Sequence, residues 1–191
     1  MKQRAKIVGY GMLGGVLLVV LGAIPGGAAP CHVPSSAYTT IQAAVNAATT
    51  CATINMAAGT YTENVLIDHA VTIRGEGQGS TIVNGGGSGT VFTITSGTVT
   101  IKGVTIQNGL GSLGGGIFNT GTLTVKNSLI ADNRADLGGG IVNFGMLTVQ
   151  NSTIADNQAS ENGGGLLNFG TVTLTHVTFQ NNTPNDCAMC P

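Results

Sequence analysis

Three glycine triplets recur at an almost constant interval in the second half of the chain. They occupy 114–116, 138–140 and 163–165, and two apolar residues and an asparagine follow each triplet. A fixed period of this size is typical of one structural unit stacked on itself several times. We therefore predict a repeat protein, and the period specifies its architecture more firmly than its activity.

The repeating unit reads as short strands separated by turn residues. Four units align over 97–120, 121–144, 145–169 and 170–187, the last being cut short. In each unit apolar residues alternate with threonine, as at Leu123 and Val125, and two more short apolar runs follow between Asn, Asp and Gly. Each unit is too short to hold a helix in addition to its three short strands. The chain must therefore wind as a coil, with one strand of each unit on each of three faces. The prediction is an all-β, single-stranded parallel β-helix of about 24 residues per coil, and it is right-handed because β-crossover-β connections almost always are.

Coiling places equivalent residues about 4.8 Å apart, so each column of the alignment becomes a ladder. Two apolar columns are predicted to face inward: Ile117, Ile141 and Leu166; and Val99, Leu123, Leu147 and Val172. Two polar columns consist of asparagine: Asn119, Asn143 and Asn168; and Asn133, Asn157 and Asn182. An amide both donates and accepts, so we interpret these columns as structural ladders that satisfy turn backbone, with an active-site role as the alternative.

Motifs in the second half resemble those of a bacterial surface family. Gly138-Gly139-Gly140-Ile141 and the Phe-x-x-Asn-like run 179–182, with Ile130 and Ile154 replacing Phe in the earlier units, look like repeats of chlamydial polymorphic outer-membrane proteins and related β-helix surface proteins. The likeness covers about 97–187. It implies the fold and a surface location rather than a particular biochemistry.

The first half resembles another branch of the pectin-lyase-like superfamily. The segments 38–48, 57–67, 71–77 and 81–87 are similar to the opening of pectin methylesterases. That family's Gln-Asp pair, Asp-Phe-Ile-Phe-Gly run and Arg-Pro-Trp segment have no counterpart here, and the chain contains no Trp. The resemblance therefore implies the scaffold alone.

The N-terminal region predicts export and a helical cap. Lys2, Arg4 and Lys6 precede an apolar stretch over 7–24 and small residues over 26–29, which is the pattern of a secretory signal, with an uncleaved membrane anchor as the alternative. Ile41, Ala44, Val45 and Ala48 have helical spacing, and Thr39 with Gln42 has the spacing of a capping box. The expected organisation is a signal or anchor over 1–29, a cap over 30–56, β-helix coils over 57–187 and a tail over 188–191.

The charge balance excludes several classes of partner. Three of the seven Lys and Arg lie within 2–6, which leaves four against eight acidic residues and a net charge near −4 for the exported part. No basic stripe is evident in the sequence, so we expect neither nucleic acid nor, apart from the N-terminal segment, a membrane as partner. A cell-surface glycan or protein is the expected ligand class.

Four cysteines in an exported chain indicate two disulfides. Cys31 and Cys51 flank the expected helix, whereas Cys187 and Cys190 lie several coils away. Because a disulfide needs Cα atoms within about 7 Å, the expected pairs are Cys31 with Cys51 and Cys187 with Cys190. A redox or zinc role for the Cys-x-x-Cys pair is the alternative, and a structural disulfide is the simpler interpretation.

One acidic column offers the strongest case for enzyme chemistry. Asp132 and Asp156 stand one coil apart, with Arg134 nearby. Stacked carboxylates with a basic residue resemble the calcium site and catalytic base of polysaccharide lyases of this fold, and two carboxylates also suit a glycosidase. However, Asp at a turn is what chain reversal requires, since its side chain bonds its own backbone. We therefore expect no catalytic site and no required cofactor, with calcium at Asp132 and Asp156 as the alternative.

Two outward columns are candidate contact surfaces. One is aromatic: Phe144 and Phe169 align, and the neighbouring column of Phe118, Val142 and Leu167 is expected to point outward, as a docking stripe or a self-covering stack at a corner. The other is a threonine lattice over 98–100, 122–124, 148 and 171–173, for which favourable strand propensity is the first explanation and ice binding a remote one.

The sequence therefore predicts an exported β-helix that acts at the cell surface or envelope as a non-catalytic adhesion or interaction module. The alternative is a polysaccharide-active enzyme, pectate-lyase-like or esterase-like, or a glycan-binding protein. Fold alone does not decide between them.

Overall fold

A computed structural model describes residues 30–47 and 50–190 of the chain. The predicted export segment over 1–29 lies outside the described residues. Within them, regular structure is almost entirely parallel β, with a single short helix, which confirms the all-β β-helix. None of the described residues belongs to a helix of the length and apolarity that a bilayer crossing requires.

The elements of the N-terminal coils are β1 (Cys31–Val33), α1 (Ile41–Asn46), β2 (Thr53–Met56), β3 (Gly59–Thr62), β4 (Val65–Ile67), β5 (Val71–Arg74), β6 (Thr81–Asn84), β7 (Phe92–Ile94), β8 (Thr98–Lys102) and β9 (Thr105–Gln107). Those of the later coils are β10 (Leu110–Leu113), β11 (Ile117–Asn119), β12 (Thr122–Lys126), β13 (Leu129–Ala131), β14 (Arg134–Leu137), β15 (Ile141–Asn143), β16 (Met146–Ala155), β17 (Gln158–Asn162), β18 (Leu166–Asn168), β19 (Thr171–Gln180) and β20 (Cys187–Ala188).

Successive coils stack face on face. The first face runs β1, β2, β5, β8, β12 and the first half of β16, and the second runs β3, β6, β9, β13 and the second half of β16. β19 pairs along the whole of β16, so both strands turn the corner between the two faces. The third face is the six-stranded sheet β4, β7, β11, β15, β18 and β20.

A fourth, smaller side was not predicted. Strands β10, β14 and β17 form a three-stranded sheet between the second and third faces. In β14 the exposed Arg134 and Asp136 alternate with the buried Ala135, and a lone small apolar residue among charges gives a weak strand signal. Each later coil is therefore four-sided.

The repeat length is regular only in the later coils. Leu123 pairs with Val99 on one side and with Leu147 on the other, and the two partners are equally distant from it along the chain. Nearer the N-terminus, Ile54 pairs with Ile73 and Val71 with Val99, so the first of these coils is shorter than the later repeat and the second is longer. The N-terminal coils therefore belong to the same ladders without matching the period.

The core is a continuous column of aliphatic side chains. The two predicted inner ladders are both present in register, and their members over β8 to β18 are at most 2% exposed. Val172 is only partly buried, because β19 is an edge strand. Burial of these side chains is the main stabilising contribution to such a stack.

Helix α1 covers the N-terminal end of this core, as predicted, but it begins differently. Its cap is Thr40 rather than Thr39, and the Thr40 side chain accepts a hydrogen bond from the Ala43 amide. Gln42 does not complete a capping box, since its side chain bonds the Leu66 backbone. The carboxylate of Glu63 accepts the next two free amides instead, from Ile41 at 2.9 Å and Gln42 at 3.0 Å. The carboxylate of Glu63, which is distant in the sequence, thus takes the place of a capping box. For this reason the local spacing predicted the wrong N-cap residue.

Candidate functional site

The outer side of the first face carries an unbroken threonine ladder. Six threonines from six consecutive strands pair in register: Thr53, Thr72, Thr100, Thr124, Thr148 and Thr173. In β5, β8, β12 and β16 the residues on both sides of the threonine are buried and apolar, so the threonine side chains face outward on a regular surface. In the column before it, Met146 interrupts Thr98, Thr122 and Thr171. The first face therefore presents a sheet of hydroxyl groups.

A basic ladder lies immediately beside the threonines. Arg74 pairs with Lys102, and Lys102 with Lys126, on three successive coils. These are three of the four Lys and Arg that follow the N-terminal basic cluster. The expectation that the chain has no basic stripe was wrong, because the register of the first face brings together cations that a whole coil separates in the sequence.

An open groove adjoins the N-terminal end of the basic ladder. It has a volume of about 520 Å³, and its lining includes His32, Pro34, Asn55, Arg74 and Glu76. The ladder register continues into this groove, since Arg74 pairs with Asn55 and Asn55 with His32. The groove thus extends the polar edge of the first face toward the N-terminal cap.

The acidic column lies elsewhere, at a corner between the second face and the small sheet. Asp132 and Asp156 are exposed and have positive φ angles of 57° and 55°, which is the left-handed region. Asn108 and Asn181 adopt the same conformation in the same column, and the Asn181 amide donates to Asp156 Oδ1 at 3.1 Å. Asp and Asn are the non-glycine residues that tolerate this backbone best. Each of these residues therefore has a role in the turn.

Arg134 is exposed at the start of β14, and no ion pair joins it to either aspartate within the described residues. Over the same residues, no three His, Cys, Asp or Glu side chains come together as a metal site would require. A calcium role for Asp132 and Asp156 stays a prediction.

The two asparagine columns are buried hydrogen-bonded ladders. Asn119 Nδ2 donates to Asn143 Oδ1, and Asn143 Nδ2 to Asn168 Oδ1, each at 2.7 Å. In the second ladder each amide donates to the next at 3.0 Å, and the ladder ends where Asn182 donates to Asp186 Oδ1 at 2.9 Å. Backbone amides also donate to these oxygens, for example Asn133 N to Asn157 Oδ1 at 3.1 Å. This arrangement uses the asparagines in the scaffold, away from solvent.

The aromatic columns differ from the expectation in one respect. Phe144 and Phe169 stack at a ring-centroid distance of 4.8 Å and remain exposed. Val142 and Leu167, expected to point outward, are buried in a small second cluster with Ala188. They lie outside the main core and pack against Leu137 at the end of β14. The backbone of Gly138 lies close to Val142, and that of Gly163 lies close to Leu167. Val142 and Leu167 are therefore not a docking stripe.

Disulfides join Cys31 to Cys51 and Cys187 to Cys190, with Cα separations of 5.3 Å and 6.0 Å. These are the pairs that the sequence favoured. Among ionisable groups, burial raises the pKa of Tyr61, whose single hydroxyl proton is shared between the carbonyls of Val33 and Ala57. A hydrogen bond from His69 lowers the pKa of the exposed Asp68. Both belong to the scaffold of the first coils.

The basic ladder is the feature that sequence reasoning missed, although a signal was present. The segment Val71-Thr72-Ile73-Arg74-Gly75 matches Val99-Thr100-Ile101-Lys102-Gly103 residue for residue in character. Aligning these two segments would have placed Arg74 over Lys102. Their separation along the chain is longer than the interval between the later units, and this difference concealed the match.

Comparison with known proteins identifies no relative: no family model matches the chain, and neither a curated protein nor a solved structure is significantly similar to it. The parallel β-solenoid is thus defined by its own geometry.

Proposed function

We propose that the protein is an exported, non-catalytic β-helix module that works at the cell surface or envelope by binding another molecule through its first face. The observation that carries the proposal is the first face itself, where an unbroken threonine ladder and a basic ladder stand on a scaffold fixed by buried asparagines. A rigid array of donors and acceptors loses little entropy when a ligand binds. The similarity of the glycine-triplet repeats to bacterial surface proteins supports the same location.

The acidic column supports a non-catalytic role. Asp132 and Asp156 occupy turn positions that Asn fills in the neighbouring coils, and a turn explains these residues without chemistry. Arg134 projects from a separate small sheet. The proposal therefore gives the two aspartates a structural role and Arg134 no part in chemistry.

The alternative is a polysaccharide-active enzyme or a glycan-binding protein. One observation favours it: the groove beside the basic ladder brings Glu76 and Arg74 to one space of about 520 Å³. An acid and a cation in a groove are a minimal arrangement for general acid or base chemistry on a bound sugar.

A single experiment separates these functions. Purified protein is incubated, with and without calcium, with a panel of acidic and neutral polysaccharides, and both product release and retention on the polymer are measured. We expect no product with any polymer. Product release that is lost in Asp156→Asn or Glu76→Gln would overturn the proposal, and Asp156→Asn is a conservative choice because Asn181 already stands in that column.

A further inference from the structure

We infer that the outer edge of β19 is a self-association surface, which pairs with the same edge of a second copy of this chain to give a two-fold symmetric dimer. The two solenoids meet at their C-terminal ends. This inference goes beyond the proposed function and does not depend on it, because the first face of each copy stays open to a ligand.

The last coil leaves part of the apolar core uncovered. Strand β19 pairs with β16 on one side, and no strand of the described residues pairs with its other side. Four of its apolar side chains pack against the core but remain only partly buried: Val172, Leu174, Val177 and Phe179. Their partners in β16 are at most 4% exposed: Leu147, Val149, Ser152 and Ile154. One further strand laid along β19 would give the last coil the burial that the coil before it already has.

The backbone of β19 directs polar groups toward the same edge, where no described strand lies. The Thr171 amide donates to the Gly145 carbonyl in the preceding coil. At the other end of the strand, the Gln180 carbonyl accepts from the Asp156 amide of that coil. Consecutive residues of a parallel strand direct their N–H and C=O groups alternately to the two sides. On both sides of the corner at His176, the residues that face the open edge are therefore the four with the uncovered side chains.

Nothing in the composition of this edge opposes pairing. Natural edge strands are commonly protected by Lys, by Pro or by inward-pointing charges, and the segment Thr171–Gln180 contains none of these. The one Lys, Arg, Asp or Glu after Gly170 is Asp186, whose carboxylate accepts a hydrogen bond from Asn182. Two such edges therefore approach each other without charge repulsion.

The N-terminal end of the solenoid excludes a head-to-tail stack. Helix α1 closes that end of the core, and its residues Ile41, Ala44 and Val45 are at most 1% exposed. The edge of β19 thus meets no matching open core at the other end of a neighbouring copy. Contact between two C-terminal ends is isologous and closes at two copies, so the dimer leaves no edge for further growth.

The sequence of β19 is complementary to itself about its corner. A two-fold axis through the corner reverses the partner strand, so the leg on the first face of one copy lies against the leg on the second face of the other. When Val172 pairs with Phe179 of the partner subunit, Leu174 pairs with Val177 of the partner subunit, and every inward side chain of β19 meets an inward one. The four residues of each copy then exchange about eight hydrogen bonds, close to the roughly ten of a typical interface. This match selects a second copy over an unrelated strand.

The first test is sedimentation velocity of the full chain over a range of protein concentrations, with amide hydrogen exchange measured at the same concentrations. We expect a monomer–dimer equilibrium in which exchange slows, as the dimer forms, at the amides of Val172, Leu174, Val177 and Phe179. A monomer at every concentration, or oligomers that grow beyond two copies, would overturn the inference. So would a dimer in which these four amides keep their exchange rates, since association would then lie elsewhere, as in the apolar segment at 7–24.

A disulfide across the two-fold axis tests the register. In this pairing Thr173 lies opposite Thr178 of the partner subunit as a non-hydrogen-bonded pair, with Cα atoms about 4.5 Å apart, which a disulfide can bridge. The double variant Thr173→Cys/Thr178→Cys should therefore form a covalent dimer on mild oxidation. Thr173→Cys alone is the control, because its two cysteines lie about 10 Å or more apart along the paired strands. Failure of the double variant to cross-link, or equal cross-linking of the single variant, would overturn the pairing.

A buried charge locates the contact. Val172→Lys puts a charge on the inward side of the edge, which the monomer leaves open to solvent and the dimer closes, so it should weaken dimerisation more than about tenfold. Thr173→Lys is the matched control, since it adds the same charge to the outward side of the same strand; we expect a change of less than about twofold. Equal weakening by both variants would show that net charge alone is responsible and would refute the inference. Circular dichroism checks that each variant folds, and the cysteine cross-link decides the question if Val172→Lys does not.

Discussion

Asn157 is the residue at which the asparagine ladders can be tested most directly. Its side chain is 1% exposed and makes four hydrogen bonds. Oδ1 accepts from the backbone amide of Asn133 at 3.1 Å and from its Nδ2 at 3.0 Å. Nδ2 donates to the Ile130 carbonyl at 2.9 Å and to Asn182 Oδ1 at 3.0 Å. The substitution Asn157→Ala removes all four.

The loss of stability in Asn157→Ala depends on the polar groups that the substitution leaves without a hydrogen-bond partner. The Asn133 backbone amide would be buried without an acceptor, at about 1–3 kcal/mol. The remaining three bonds contribute about 1 kcal/mol each, reduced where a partner keeps a second bond, as Asn133 Nδ2 does with Ile106 and Ala131. We therefore expect Asn157→Ala to lower the free energy of unfolding by about 4 kcal/mol. That is a large part of the stability of an ordinary domain.

Urea unfolding followed by circular dichroism measures this loss, with amide hydrogen exchange at Asn133 as a local reporter. The control is Asn181→Gly, which removes an exposed amide from the adjacent column at a φ of 53° that glycine adopts freely. It should cost less than about 1 kcal/mol. If Asn157→Ala costs no more than the control, or if the Asn133 amide keeps its protection, the ladder is not a stabilising element.

Three further predictions concern the scaffold. Gly138→Ala should destabilise the protein by about 3 kcal/mol, because the new methyl group would clash with the Val142 side chain. Gly87→Ala should cost only the strain of a left-handed backbone, about 1–2 kcal/mol, because nothing lies within 4 Å of its Cβ position. The urea midpoints of the two variants test this difference. Replacing Cys31 and Cys51 by alanine should cost about 3 kcal/mol, since the bond closes a loop of 20 residues, and an unchanged melting temperature would contradict this. Glu63→Gln should speed amide exchange in helix α1 alone, because it removes the anion that holds two helix amides; uniform acceleration across the coils would be inconsistent with local capping.

The sequence predicted the later coils well because the asparagine columns and the inner apolar columns keep one class of side chain there. Asn143 and Leu147 could be placed over their equivalents by counting one repeat length along the chain. The first coils could not be treated in this way, since loops of different lengths leave the strand register intact while shifting the numbering. A change in loop length costs little free energy. Coils can therefore differ in length along the sequence while their strands still pair in register. The interval from Arg74 to Lys102 is longer than the later repeat, and for this reason the sequence did not reveal that the two residues pair.

Contacts set by distant side chains were equally hard to predict. Thr39 and Thr40 both fit the local sequence pattern of a cap, and the choice depends on Glu63, which lies in a later strand connection and bonds the Ile41 amide. The burial of Val142 likewise depends on a neighbouring turn rather than on alternation within its own strand. Periodicity identifies which residues share a column, and it does not identify what covers that column.

The asparagine ladders also give the solenoid a sense of direction. Every bond from one asparagine side chain to the next is donated toward the C-terminal end, so the bond dipoles of each row add head to tail. One row starts at a backbone donor, Gly109 N, and finishes at the anion of Asp186, so each extremity meets a partner of the right polarity. Growth of such a protein by duplication therefore has to add whole coils: a copy of 121–144 would supply one acceptor and one donor to both rows, while an inserted coil without both asparagines would interrupt them.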